Sequence, residues 1–140
     1  MATRQEIVDE ARSYVGTRFH HQARVKGVAV DCIGLLVGVA RALGLFEHDN
    51  RSYSRHPDGH TLLEELEKVL DRVEEGAEPE LGDVLVFWIS ERTKRPQHIA
   101  IKSDVGMIHT YAHIGKVVET HLTKAWRRRI CAVFRFRGLE

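Results

Sequence analysis

Apolar residues recur at helical spacing in three stretches of this chain and then switch to strand spacing. Residues 3–14 place Ile7, Ala11 and Tyr14 on one face and Glu6, Asp9, Glu10 and Arg12 mostly on the other, which predicts a first helix ended by Gly16-Thr17. Residues 31–44 predict a second helix, with Leu35, Leu36, Val39 and Leu43 on its apolar face, Asp31 as N-cap and Gly44 as the stop. Residues 61–74 predict a third, striped by Leu62, Leu63, Leu66, Val69, Leu70 and Val73 and stopped by Gly76 and Pro79. Residues 18–30 read as an irregular loop turning at Gly27. Residues 45–60 read as polar and turn-rich, with Asp49-Asn50 and Pro57-Asp58-Gly59.

From Leu81 the pattern becomes that of strands. Val84-Leu85-Val86-Phe87-Trp88 is continuously apolar, as in a strand buried on both faces. Strands follow at 97–101, 107–111 and 117–120, then a helical turn at 123–128. In the last strand, 130–137, Ala132, Phe134 and Phe136 alternate with Val133, Arg135 and Arg137, so one face is wet. Helices first and strands second predict an α+β fold: one domain over residues 1–140, its N-terminal helices packed on an antiparallel β-meander.

Composition agrees with a single globular domain: 140 residues, 43% hydrophobic and 29% charged. A net charge of +1 gives no global field for nucleic acid, and no apolar run is long enough for a bilayer. No charged n-region followed by an apolar h-region opens the chain. It is therefore expected to be made in the cytoplasm without a signal peptide. Two distant cysteines make no disulfide framework, and Cys131, among core positions of the last strand, reads as packing.

The candidate chemistry centres on Val30-Asp31-Cys32-Ile33-Gly34. A cysteine in the first turn of a helix sits where free N–H groups and the helix dipole favour a thiolate. The negative Asp31 opposes this and calls for a cationic partner, while Gly34 keeps the turn slim enough for a substrate to approach. A thiol nucleophile also needs a base and a group that orients it. His98 begins one predicted strand and His109 lies in the next, so the two can face each other near one end of a sheet. The same residues also fit a small buried cysteine and two packed strand histidines, and the pattern alone leaves both readings open. His20, His21, His98, His109 and His113 show no Cys-x-x-Cys or His-Glu-x-x-His spacing, so neither a metal nor another cofactor is expected.

Four pieces in order resemble the NlpC-type cell-wall cysteine peptidases, a papain-like family: Asp31-Cys32-Ile33-Gly34, Gly82-Asp83-Val84-Leu85-Val86-Phe87, His98-Ile99-Ala100-Ile101 and Met107-Ile108-His109. The resemblance implies Cys32 as nucleophile, His98 as base and His109 as the third polar residue. The implied reaction is hydrolysis of amide bonds in peptidoglycan stem peptides, often next to D-glutamate. Residues 16–22, 26–32 and 126–129 resemble the narrower branch found in tails of phages, prophages and gene-transfer particles. That branch implies tail proteins as partners and a virion or tail particle as the location.

Two departures stand out. Many relatives carry a tyrosine in the loop before the nucleophile helix, whose hydroxyl helps hold the oxyanion, and here that position is Phe19. The substrate-binding and oxyanion region is then expected from Phe19, His20, His21, Gln22 and Asp31, with the Cys32 N–H as one donor. Ile99-Ala100 also replaces the common Val-Gly. Arg127-Arg128-Arg129 reads as a solvated face or as a contact for an anionic wall polymer or a tail subunit. Two alternatives remain: a papain-like amidase or acyltransferase on another substrate, and a catalytically weak structural tail protein.

Overall fold

The computed structural model describes residues 1–56 and 58–140, so Pro57 of the predicted turn lies outside the described residues. Helix α1 (Arg4–Arg12) starts at Thr3 in a capping box: the Thr3 hydroxyl accepts from the Glu6 N–H at 3.1 Å and the Glu6 carboxylate from the Thr3 N–H at 3.0 Å. Helix α2 (Cys32–Ala42) is capped by Asp31 and stops before Gly44, which takes the left-handed φ of 67° that suits glycine.

The predicted loop at 18–30 is a small sheet. Its strands β1 (Arg18–Phe19), β2 (Arg24–Val25) and β3 (Ala29–Val30) lie in the order β1-β3-β2. Strands of two residues are too short to show alternation, so no periodic signal marks them.

The third helix is shorter than its stripe. Helix α3 (Thr61–Val69) ends where β4 (Leu70–Arg72) begins. Leu70 stays buried in the same core, which is why the stripe ran through it. The Arg137 guanidinium takes the last carbonyls of the helix, donating to the oxygens of Glu67, Lys68 and Leu70, and so makes the early stop tolerable.

The main sheet has six strands in the order β4-β9-β5-β6-β7-β8, all antiparallel. Strands β5 (Val84–Trp88), β6 (Pro96–Lys102), β7 (Met107–His109) and β8 (Val118–Thr120) form the expected meander. After the single turn of α4 (Lys124–Arg127), β9 (Ile130–Phe136) departs from it and returns to lie between β5 and β4. It makes β5 a central strand, which accounts for the continuous burial of Val84 to Trp88. Ala132, Phe134 and Phe136 are buried and alternate with half-exposed neighbours, Cys131 among them.

Side chains pack on both faces of this sheet. Val84, Val86, Ile99, Ile101, Ile108 and Phe134 meet Ile7, Leu35, Leu36 and Val39 of the helices. Leu85, Phe87, Ala100 and Met107 are covered by Leu122, Trp126, Ile130 and Val133. The Gly82-Asp83 pair sets the start of β5: buried Asp83 accepts from Arg4 at 3.1 Å, from Arg135 at 2.9 and 2.8 Å, and from the Glu80 N–H at 2.8 Å. One carboxylate thus joins α1, β5 and β9.

Candidate active site

Cys32 is the first residue of α2, directly after its cap. The Asp31 carboxylate is buried and has four donors. Oδ1 accepts from the Gly34 N–H at 2.7 Å and from Arg24 at 3.0 Å. Oδ2 accepts from the Gln22 N–H at 2.8 Å and, in a short bond, from the Tyr53 hydroxyl. A carboxylate has about four acceptor sites, so Asp31 is fully used by the protein and not free for substrate. Gly34 serves packing and not substrate access: a Cβ there would stand 2.2 Å from the Ala23 carbonyl oxygen.

His98 and His109 are buried neighbours on β6 and β7. The register sets Ala100 opposite His109, so the histidines meet diagonally on one face and not as a directly opposed pair. His98 Nε2 lies 2.9 Å from His109 Nδ1, and His109 Nε2 lies 3.0 Å from the Thr120 hydroxyl. Trp126 and Tyr111 pack their rings around the pair at 5.1–5.8 Å between centroids. For His98 to accept a proton at Nδ1, its Nε2–H must donate to His109 Nδ1, and His109 must then carry its own proton on Nε2, toward Thr120. With His98 as the base, the chain of contacts fixes one tautomer at each ring.

A cavity of about 660 Å³ opens between α2, α3, the start of β6 and the 45–56 segment. Cys32 and His98 both line it, with the thiol against the backbone N–H of Ile99, one residue past His98. No hydrogen bond joins thiol to imidazole among the described residues; a catalytic pair is often loose before substrate arrives. Phe19, His21 and Asp31 line the cavity too, whereas exposed His20 and half-buried Gln22 do not. The Gln22 side chain donates instead to the Tyr53 carbonyl at 2.8 Å. The expected loop therefore divides: Phe19 and His21 face the site, and His20 and Gln22 do not.

The electrostatics correct the expectation of a ready thiolate. Burial, and then the charge of Asp31, push the Cys32 thiol up to about 12, against the pull of the N–H groups of Ile99, Ile33 and Cys32. Burial and then the neighbouring His109 hold His98 at about 3, and burial holds His109 at about 4. Part of the Cys32 surface opens on the cavity, where water softens the effect of burial. Both shifts favour the uncharged form, the thiol of Cys32 and the neutral imidazole of His98. No group of three or more His, Cys, Asp or Glu among the described residues is placed to hold a metal ion.

Sequence reasoning missed Tyr53, Arg24 and Asp49. Arg24 links Asp31 to Asp49, its Nε 3.0 Å from an Asp49 oxygen, with all three side chains buried. Tyr53, an aromatic set among polar residues at 47–56, was the one available signal. Thr110 Oγ1, in a cavity-lining residue, is the buried side-chain polar atom without a hydrogen-bond partner among the described residues.

No family model matches the sequence, and comparison with curated proteins gives no match. Solved structures do match. An NlpC/P60 family protein from Bacillus cereus superposes with a TM-score of 0.70 at 16% identity, covering 96% of this chain and 40% of that one. The NlpC/p60 domain of the peptidoglycan hydrolase SagA gives 0.64 at 19%, covering 96% of this chain and 100% of that one. NlpC2 from Trichomonas vaginalis gives 0.68 at 14%, covering 97% and 47%. This chain thus spans less than half of two of these proteins and the whole of the SagA domain. At such identities the likeness is one of architecture: the chain has the NlpC/P60 fold.

Proposed function

We propose that this protein is a cysteine peptidase that hydrolyses amide bonds in peptidoglycan stem peptides. The observation that carries the reading is that Cys32 and His98 line one cavity, with His109 bonded behind His98, on an NlpC/P60 fold. In this reading the Cys32 thiol gives its proton to His98 Nδ1 as the sulfur attacks the scissile carbonyl carbon. The Cys32 N–H, at the free end of α2, donates to the developing oxyanion. The imidazolium formed on His98 is steadied by His109 and returns its proton to the leaving amine. Water, deprotonated by His98, then attacks the thioester and releases the acid and the free thiol. Because both groups rest neutral, the proton moves during the attack and not before it.

The proposed setting is a phage-type tail, where the enzyme would meet the wall from outside. Its support is the resemblance of residues 16–22, 26–32 and 126–129 to that branch. A structural tail protein of low activity is the second reading, favoured by Phe19, which brings no hydroxyl to the cavity. Incubation with defined muropeptides, read by product mass, decides between them. New amine and carboxylate ends within the stem peptide support the peptidase. Cleavage at the sugar-linked amide indicates an amidase, and unchanged muropeptides indicate the structural role.

A further inference from the structure

We propose that Tyr53 is a positioning residue for the nucleophile: its hydroxyl holds the Asp31 cap of α2 and ties the 45–56 segment to the Cys32 turn as one wall of the cleft. The inference rests on Cys32 being the nucleophile, not on any one substrate.

Three of the four donors to Asp31 come from its own vicinity: Gln22 lies nine residues away, Arg24 seven and Gly34 three. Tyr53 lies 22 residues away and is the donor that also lines the cavity. Its placement is over-determined. The Gln22 amide donates to its carbonyl at 2.8 Å. The Arg24 guanidinium stands 5.5 Å from its ring centre and binds Asp49 of the same segment. The His21 ring meets it edge-on at 5.4 Å. Tyr53 and Asp49 thus pin one segment to the residue that caps the Cys32 helix, so the cleft wall and the nucleophile cannot move independently.

Charged and titratable groups reach the cavity of the thiol from every side. Asp31 precedes it, Arg24 comes from β2, and His48, Asp49, Tyr53, Arg55 and His56 come from the 45–56 segment, with Asp58 and Glu65 beyond. His21 comes from the turn after β1, His98 from β6, and Tyr111 and His113 from the turn after β7. Asp31 is the negative group that opposes a thiolate. Tyr53 and Arg24 draw on that charge, so removing the hydroxyl turns more of it toward the sulfur.

The test is the rate of iodoacetamide labelling of Cys32 at pH 9, with Cys131 labelling and thermal melting as controls for the fold. Tyr53→Phe is expected to slow labelling of Cys32 by about tenfold, the loss in thiolate for one unit of pKa. Asp31→Asn still caps the helix and is expected to label faster than wild type. On that background Tyr53→Phe should change the rate by less than about twofold, since the charge it acts on is gone. Labelling of Tyr53→Phe at or above the wild-type rate, or a full Tyr53→Phe effect on the Asp31→Asn background, overturns the proposal. Labelling needs no substrate, so a protein inert toward stem peptides counts against the peptidase reading and leaves this result standing.

Discussion

His98 Nε2 and His109 Nδ1 stand 2.9 Å apart in a buried site, and this contact lets only one proton occupy the space between the two rings. Both rings are held below the ordinary histidine range, His98 at about 3 and His109 at about 4. In the unfolded chain each titrates near 6.5. The unfolded state therefore binds more protons below that pH, and stability falls as pH drops from about 6.5 toward the folded values. Between pH 7 and pH 5 His98 alone should cost about 2 kcal/mol. Urea unfolding at the two pH values measures the combined loss, and His98→Gln should remove the His98 share of about 2 kcal/mol while His109 keeps its own. An unfolding free energy that does not change across this range contradicts the buried neutral pair.

The same depression would govern the proposed catalysis. A base at about 3 stays unprotonated at pH 5, where a free imidazole is mostly charged. The acid limb of kcat/KM on a stem peptide should therefore lie below pH 5, provided the fold persists there. A limb centred near 6.5 would mean that His98 is solvated in the working enzyme.

Gly34→Ala tests the packing role of the glycine in the first turn of α2. Alanine in place of glycine in a helix normally gains about 1 kcal/mol. Here the new Cβ would stand 2.2 Å from the Ala23 carbonyl oxygen, and backbone cannot yield cheaply. The expected result is a loss of about 1–3 kcal/mol, read from the thermal midpoint. A gain would show that the β2 approach to α2 is loose.

Within the loop after β1, the cavity separates two adjacent histidines. His21 lines it and His20 does not. If a side chain of this loop donates to the proposed oxyanion, the cavity lining points to His21. His21→Ala should then lower turnover by about 100-fold, while His20→Ala should leave it unchanged. Equal effects would remove the loop from oxyanion binding.

Helix starts and central strands were the legible part of this chain. Asp31 before an apolar run marked the cap of α2, and the unbroken run at Val84–Trp88 marked a strand covered on both sides. The end of α3 was illegible because Leu70 is buried whether the backbone is helical or extended, and the deciding contact comes from Arg137, far along the chain. Cys32, His98 and His109 could be picked out by type and position. Their charge state could not, because it follows from burial, which only the assembled fold sets. Tyr53 escaped notice for a similar reason: its partner Asp31 lies 22 residues away across an irregular segment that carries no periodic signal.

The central claim is that Cys32, served by His98, cleaves a peptide bond of the peptidoglycan stem. The most direct measurement is a time course of defined muropeptide cleavage, followed by mass, for wild type, Cys32→Ala and His98→Ala, each confirmed folded by its melting curve. The account predicts stem-peptide products from wild type and none above the blank from either variant. Products from Cys32→Ala at the wild-type rate, or no cleavage by the folded wild-type protein, would contradict it.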